Sequence, residues 1–217
     1  MKFLITAGPT REPIDPVRYL SNRSSGKMGY AIAEAALEAG HDVILVSGPV
    51  SLAAPGDARL VRVVTSDQML EAVQSNLPGC DVLVMCAAVA DYKPAKASAH
   101  KIKKGAAALI LELVPTRDIL SSVSLAQRDF LVVGFAAETN DLSENARKKL
   151  RDKNCDLVVG NDVSSAKVGM ESDENEVTIF FRDGETHKIS RAPKKNIARE
   201  LVKIISNTYE KCLTKKS

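Results

Sequence analysis

The sequence predicts an α/β protein built on a mostly parallel sheet covered by helices on both faces. Three observations predict it. Short apolar runs alternate with helical stretches. The runs are almost wholly apolar, as strands buried on two faces must be. Small and polar residues gather where the strands end, the place at which open parallel sheets bind ligands.

The elements follow in order. Residues 2–6 hold Phe3, Leu4 and Ile5, a β-prone start. A long loop runs on to about residue 25. Met28, Ala31, Ile32, Ala35 and Ala36 then recur at i, i+3, i+4, i+7 and i+8, the stripe of an amphipathic helix. Gly40 stands where a C′ glycine belongs, and residues 42–47 form a short buried strand, so the first fifty residues read as a βαβ unit. Residues 60–64 are strand-like, and Ser66 is placed to cap a helix carrying Met69, Leu70, Val73 and Leu77. Runs at 81–85, 131–135 and 156–159 supply further strands, with Leu142, Ala146 and Leu150 marking a helix between the last two. Residues 177–181 and 186–189 flank Asp183-Gly184, a hairpin turn signal. A last helix runs from Pro193 to about residue 209. Residues 1–210 are therefore expected to form one domain, followed by a polar tail at 211–217.

Composition narrows the function. A chain of 217 residues buries about 70% of its unfolded surface and needs no staple. No apolar run approaches the ~20 residues of a membrane span, and residues 3–7 are too short for a signal-peptide core. The expectation is a cytoplasmic protein with no membrane partner. A net charge of +3, no tryptophan and 4% aromatic residues argue against nucleic-acid binding. Cys80, Cys86, Cys155 and Cys212 lack CxxC spacing and nearby histidines, so they read as reduced, buried thiols rather than zinc ligands. The positive charge is local: residues 91–104 contain five lysines against one acid. That concentration suits a small anionic ligand. Residues 95–105 are too polar for the core and read either as a solvated loop or as a flap that closes over such a ligand.

Candidate site residues lie at strand ends. Ser24, Ser25 and Gly26 open the first helix and offer hydroxyls and free N–H groups to a phosphate, or else form a cap with Ser25 and glycines for tight packing. The spacing is neither a P-loop nor G-x-G-x-x-G: Ser21 and Met28 break the former, and only Gly26 and Gly29 fit the latter. The strand ending at Met85 runs into small residues and Asp91, a candidate for a metal ion, a sugar hydroxyl or a cap. The strand ending at Phe135 does the same into Ala136 and Ala137. Lys149 and Lys153 repel each other at i, i+4 unless an anion lies near; otherwise they are solvated surface lysines.

Seven segments carry a specific resemblance: TAGPTREPID (6–15), YLSNRSSGKMG (19–29), AAVADY (87–92), KIKK (101–104), GFAAET (134–139), NDV (161–163) and MESDENEV (170–177). Together, and in this order, they make the chain closely resemble phosphopantothenate–cysteine ligase, the second half of the bifunctional flavoprotein of coenzyme A biosynthesis. The resemblance implies a Rossmann-like three-layer fold and a two-step amide synthesis. The carboxylate of 4′-phosphopantothenate attacks the α-phosphate of CTP to give an acyl-cytidylate and pyrophosphate, and the amine of cysteine then displaces CMP. It implies that Lys101, on the flap, serves acyl-cytidylate formation. Asn22 handles that intermediate, Arg18 assists the same half-reaction, and Ala88 lies in the tight stretch beside them. CTP contacts are implied at Asp91, Lys101, Thr116, Arg117, Asp118, Ile119, Phe135, Lys149 and Lys153. Arg117 departs from the proline usual at that position. Mg²⁺ is expected with the triphosphate, and no metal ligands are identifiable. No flavin decarboxylase segment precedes the first strand, so FMN is not expected, which leaves room for a separate decarboxylase subunit as partner. A homodimer is expected, with the flap reaching the neighbour. CTP rather than ATP rests on the resemblance alone.

Two other classes compete with this reading. A dinucleotide-dependent oxidoreductase calls for an acidic residue at the end of the second strand, and that strand ends in Val46-Ser47-Gly48-Pro49. A nonenzymatic nucleic-acid module calls for a broad basic face. His41, His100 and His187 are not expected to be catalytic, and no residue is identifiable as a general base for the cysteine amine.

Overall fold

The structure is a computed structural model that describes residues 1–105, 108–124, 128–162 and 172–214. Val163, Met170 and Glu171 of the resemblance motifs, and residues 215–217 of the tail, lie outside the described residues.

One eight-stranded sheet organises the chain. Its parallel strands are β1 (Lys2–Ala7), β4 (Asp42–Ser47), β5 (Arg59–Arg62), β6 (Val82–Met85), β9 (Leu131–Glu138) and β10 (Leu157–Asp162), and an antiparallel hairpin of β11 (Glu174–Phe181) and β12 (Thr186–Pro193) extends it at one edge. The order is β12-β11-β10-β9-β6-β1-β4-β5. The chain leaves β1 for β4 on one side and returns to β6 on the other, so the strand order reverses between β1 and β6 and opens a crevice at their carboxyl ends.

Alternation along each strand divides the core into two layers. Phe3, Ile5, Val43, Leu45, Val82 and Val84 face α1 (Lys27–Glu38) and α5 (Lys194–Thr214). Leu4, Ile44, Val46, Leu83 and Met85 face α2 (Ser66–Asn76), α3 (Ile119–Ser124) and α4 (Leu142–Asp152). Both faces being covered is why these strands read as unbroken apolar runs. Gly29 of α1 lets the helix lie against β1, since a Cβ there would meet the Ala7 Cβ at 2.6 Å.

The elements expected from sequence are present with four adjustments. The cap of α2 is Thr65, not Ser66: Gln68 N–H donates to Thr65 Oγ1 and Thr65 N–H to Gln68 Oε1, each 3.2 Å, a complete capping box. The cap of α1 is Gly26 in the left-handed region (φ 76°), so Ser25 does not cap it. The helix α5 continues to Thr214, past the expected end. Cys80 and Cys155 are buried as expected, whereas Cys86 is half-buried and Cys212 is exposed on α5.

Two short ribbons lie outside the expected elements. Within the long loop after β1, β2 (Arg11–Pro13) pairs antiparallel with β3 (Tyr19–Ser21). Around the lysine-rich segment, β7 (Tyr92–Pro94) pairs with β8 (Leu113–Pro115), so residues 95–105 belong to the loop at the far end of this second ribbon.

Candidate active site

The loops after β1 and β6 are tied together over the crevice. Thr10 N–H donates to the Ala88 carbonyl at 3.1 Å and Ala88 N–H to the Gly8 carbonyl at 2.9 Å, forming a bridge between Pro9 and Ala88. Gly48, at the end of β4, supports this turn closely, because a Cβ there would lie 1.9 Å from the Pro9 carbonyl oxygen. The Asn22 side chain donates from Nδ2 to the Ala88 carbonyl at 3.0 Å, which places these two residues against each other.

Beyond this bridge, a cleft of about 580 Å³ lies over the carboxyl ends of β6 and β9. It brings together Asn22, Ala88, Asp91, Phe135, Lys149 and Lys153, with Thr116, Arg117, Asp118 and Ile119 along one side. The 116–119 stretch is held to the loop after β6: Thr116 N–H donates to the Asp91 carbonyl at 2.9 Å, and Thr116 Oγ1 donates to the Ala90 carbonyl at 2.6 Å. Arg117 points its replacement for proline to an exposed position, while Ile119 is buried under the stretch.

The two cleft lysines are not solvated surface groups. Lys149 is half-buried and donates from Nζ to the Phe135 carbonyl at 2.5 Å. Burial pulls its ammonium below the ordinary lysine range. Lys153 is ion-paired with the Asp118 carboxylate. Burial alone would raise the Asp118 carboxyl, but hydrogen bonds from Lys153 and the Ser121 N–H outweigh it and keep it below the usual value. The carboxylate thus both caps α3 and neutralises one of two lysines one turn apart.

A smaller cavity of about 140 Å³ adjoins the cleft and shares Ala87, Ala88, Phe135 and Ala137 with it. Ser24 and Gly26 line it at the start of α1, and Ser24 Oγ accepts from Gly26 N–H at 3.3 Å. Sequence reasoning assigned no site role to its other polar residues, Lys27, Asn161, Asn175 and Lys194. Asn161 Nδ2 donates to Asn175 Oδ1 at 2.7 Å, and Asn161 Oδ1 is a buried acceptor with no hydrogen-bond partner among the described residues. Lys194 is only 6% exposed, and its position at the first residue of α5 gave no sequence signal beyond an ordinary helix start.

Three expected site residues are not among those lining either cavity: Ser25, Arg18 and Lys101. Arg18 is committed to Asp15 and to the Ile102 carbonyl on the flap, and Lys101 is exposed. The histidines line neither cavity: His41 stacks on Phe3 with ring centroids 5.1 Å apart, and His187 meets Glu200 at 2.9 Å. Among the described residues no group of three histidine, cysteine or acidic side chains could hold a metal ion, and no helix is long and apolar enough to cross a membrane.

The strand order and the position of the cleft define a Rossmann-like three-layer α/β protein whose site lies at the carboxyl edge of the sheet. The chain belongs to the family of the DNA/pantothenate metabolism flavoprotein C-terminal domain, whose model matches residues 1–209. It is 47% identical over 204 residues to the coenzyme A biosynthesis bifunctional protein CoaBC of Bacillus subtilis (strain 168), a match covering 94% of this chain and 50% of that protein. The chain therefore spans about half the length of the curated relatives it matches. The crystal structure of the C-terminal domain of a CoaBC protein is similar at a TM-score of 0.83 and 44% identity, covering 97% of this chain and 96% of that one. A Cab2 mutant in complex with phosphopantothenate-cysteine shares the fold at a TM-score of 0.80 and 18% identity, covering 99% of this chain and 88% of that one. The family resemblance carried by the seven sequence segments is borne out.

Proposed function

We propose that this chain is a CTP-dependent ligase of coenzyme A biosynthesis that joins 4′-phosphopantothenate to cysteine, acting in the cytoplasm as a homodimer, with residues 1–210 as the ligase unit. The observation that carries the reading is the cleft over β6 and β9. It assembles Asn22, Ala88, Asp91, the 116–119 stretch, Phe135, Lys149 and Lys153, which the resemblance had marked for the nucleotide and the acyl-cytidylate. Family membership supports the pathway, and a fold relative solved with phosphopantothenate-cysteine supports the product class.

The chemistry follows from charge. In the first step a carboxylate oxygen of 4′-phosphopantothenate bonds to the α-phosphorus of CTP, and the bond to the bridging oxygen breaks, so pyrophosphate leaves with the electron pair. Two anions must approach, and fixed cations in a partly dry cleft lower that barrier. Lys149, Lys153 and the flap's Lys101 supply them. Mg²⁺ would enter with the triphosphate and neutralise phosphate charge. Asp91 is the cleft acid suited to help hold it, because Asp118 is engaged by Lys153. In the second step the cysteine nitrogen bonds to the acyl carbon, the bond to CMP oxygen breaks, and the ammonium proton passes to solvent. The Asn22 amide can donate to the acyl oxygen as it gains charge, without protonating the attacking amine. Lys101 lies outside the lining of its own cleft, as a flap shared with a second subunit would. No FMN is needed for either step, and a decarboxylase, the other activity of the bifunctional flavoprotein that the sequence resembles, is the proposed partner.

The test is pyrophosphate release from CTP, ATP, GTP and UTP with 4′-phosphopantothenate and Mg²⁺, with and without cysteine. The expected result is release that requires phosphopantothenate, favours CTP by about tenfold or more, a difference of roughly 1.4 kcal/mol in transition-state binding, and falls to a single-turnover burst when cysteine is omitted. Release that ignores phosphopantothenate would contradict the reading.

A further inference from the structure

The β2–β3 hairpin and the flap meet at Asp15, a residue to which neither the resemblance nor the comparisons give a role. Its side chain is fully shielded from solvent. Oδ1 accepts from the backbone N–H groups of Val17 and Arg18, each at 2.9 Å. Oδ2 accepts from Arg18 Nε at 3.0 Å and Nη2 at 2.5 Å, and also from the backbone N–H of Ile102 at 3.1 Å. Arg18 Nη2 in turn donates to the Ile102 carbonyl at 2.9 Å, so both polar groups of one flap peptide unit's residue are held by the Asp15–Arg18 pair. Ser98 N–H donates to the Ile14 carbonyl at 2.9 Å and fastens the flap a second time to the same turn.

These bonds cross more than eighty residues of sequence and grip the residue next to Lys101. A long lysine on an unsupported loop loses several rotatable bonds' worth of entropy each time it is brought to a ligand. Fixing the neighbouring backbone removes part of that cost in advance. We infer that Asp15 is a positioning residue that clamps the root of the flap and acts on the reaction through Lys101, an inference that rests on the ligase reading above. A carboxylate is required because it alone offers acceptors for backbone and guanidinium donors together. The Arg18 guanidinium holds the Asp15 carboxyl far below its ordinary value, with the Val17, Ile102 and Arg18 N–H groups adding to the effect against the opposing pull of burial. A depressed carboxyl contributes its stabilisation fully above the unfolded value of 3.8 and loses it only as pH falls toward the folded value. The clamp is therefore complete throughout the neutral range.

Asp15→Asn keeps the shape and removes the charge and one acceptor. Two readouts test the clamp. In the ligand-free protein, backbone hydrogen exchange at Ile102 and Ser98 should accelerate by about tenfold or more, and unchanged exchange would overturn the clamp whatever the reaction. In single-turnover pyrophosphate release, Asp15→Asn should slow the burst about 10–100-fold alone, yet add nothing to Lys101→Gln, because residues acting as one unit are not additive. Losses that multiply in the double variant would overturn action through Lys101 and leave a general structural role. Should Asp15→Asn fail to fold, Ile102→Pro removes the flap's donor and leaves the hairpin intact; the same cycle against Lys101→Gln then decides. Absence of release in the unmodified protein would overturn the ligase reading and with it the role of Lys101, while the exchange measurement still judges the clamp.

Discussion

Lys101→Gln is expected to slow pyrophosphate release from CTP and 4′-phosphopantothenate by about 10²–10³-fold, the usual cost of removing one fixed electrostatic partner of a transition state. Glutamine preserves much of the length and a hydrogen-bond donor but not the charge. The charge is what two approaching anions need, since repulsion between carboxylate and triphosphate peaks as the new bond forms. Lys149 and Lys153 remain in the cleft, so nucleotide binding should change only a few-fold. Folding should be untouched because Lys101 is exposed. Quenched-flow measurement of the burst checks this, and a burst of unchanged rate would refute the role given to Lys101.

Asn22→Asp is expected to separate the two half-reactions. The amide donates to the Ala88 carbonyl at the cleft, and in the proposed reaction it also donates to the acyl oxygen. An aspartate there has no donor to offer and sets a negative charge against that carbonyl and against the oxygen that gains charge as cysteine attacks. Transfer to cysteine should slow by about 10²–10³-fold, while formation of the acyl-cytidylate, which depends on the cationic groups, continues. The intermediate should then accumulate to about one per site and be recoverable after acid quench and chromatography. Release of pyrophosphate without a trappable intermediate would contradict the assignment.

The sheet was legible because burial on two faces writes itself into sequence. β1, β4, β6, β9 and β10 each carry a run of buried apolar residues. The ribbons β2–β3 and β7–β8 were not legible: each strand is three residues long, carries charged residues or proline, and pairs outside the main sheet, so no period had room to appear. The cap of α2 could have been found, because Thr65 followed three residues later by Gln68 is a capping-box signature that neighbouring Ser66 obscured. The cap of α1 could not be found from hydroxyl counting, since a left-handed glycine does that work.

The candidate site divides along the same line. Residues that follow directly from strand ends, such as Ala88, Asp91 and Phe135, come together as strand order requires. The like-charged pair Lys149 and Lys153 left open a nearby anion or two solvated surface groups, and the structure pairs Lys153 with Asp118. Contacts made by folding one loop onto another left no trace in sequence: the grip of Asp15 and Arg18 on Ile102, and the presence of Lys194 beside the start of α1, depend on tertiary proximity alone.

The central claim is that the carboxylate of one anion is joined to the α-phosphorus of another before cysteine arrives. Phosphopantothenate labelled with ¹⁸O in its carboxylate tests it directly, with mass spectrometry of the products after turnover with CTP and cysteine. The expected result is one labelled oxygen in CMP for each amide formed and none in pyrophosphate. Unlabelled CMP, or label appearing in inorganic phosphate, would contradict it.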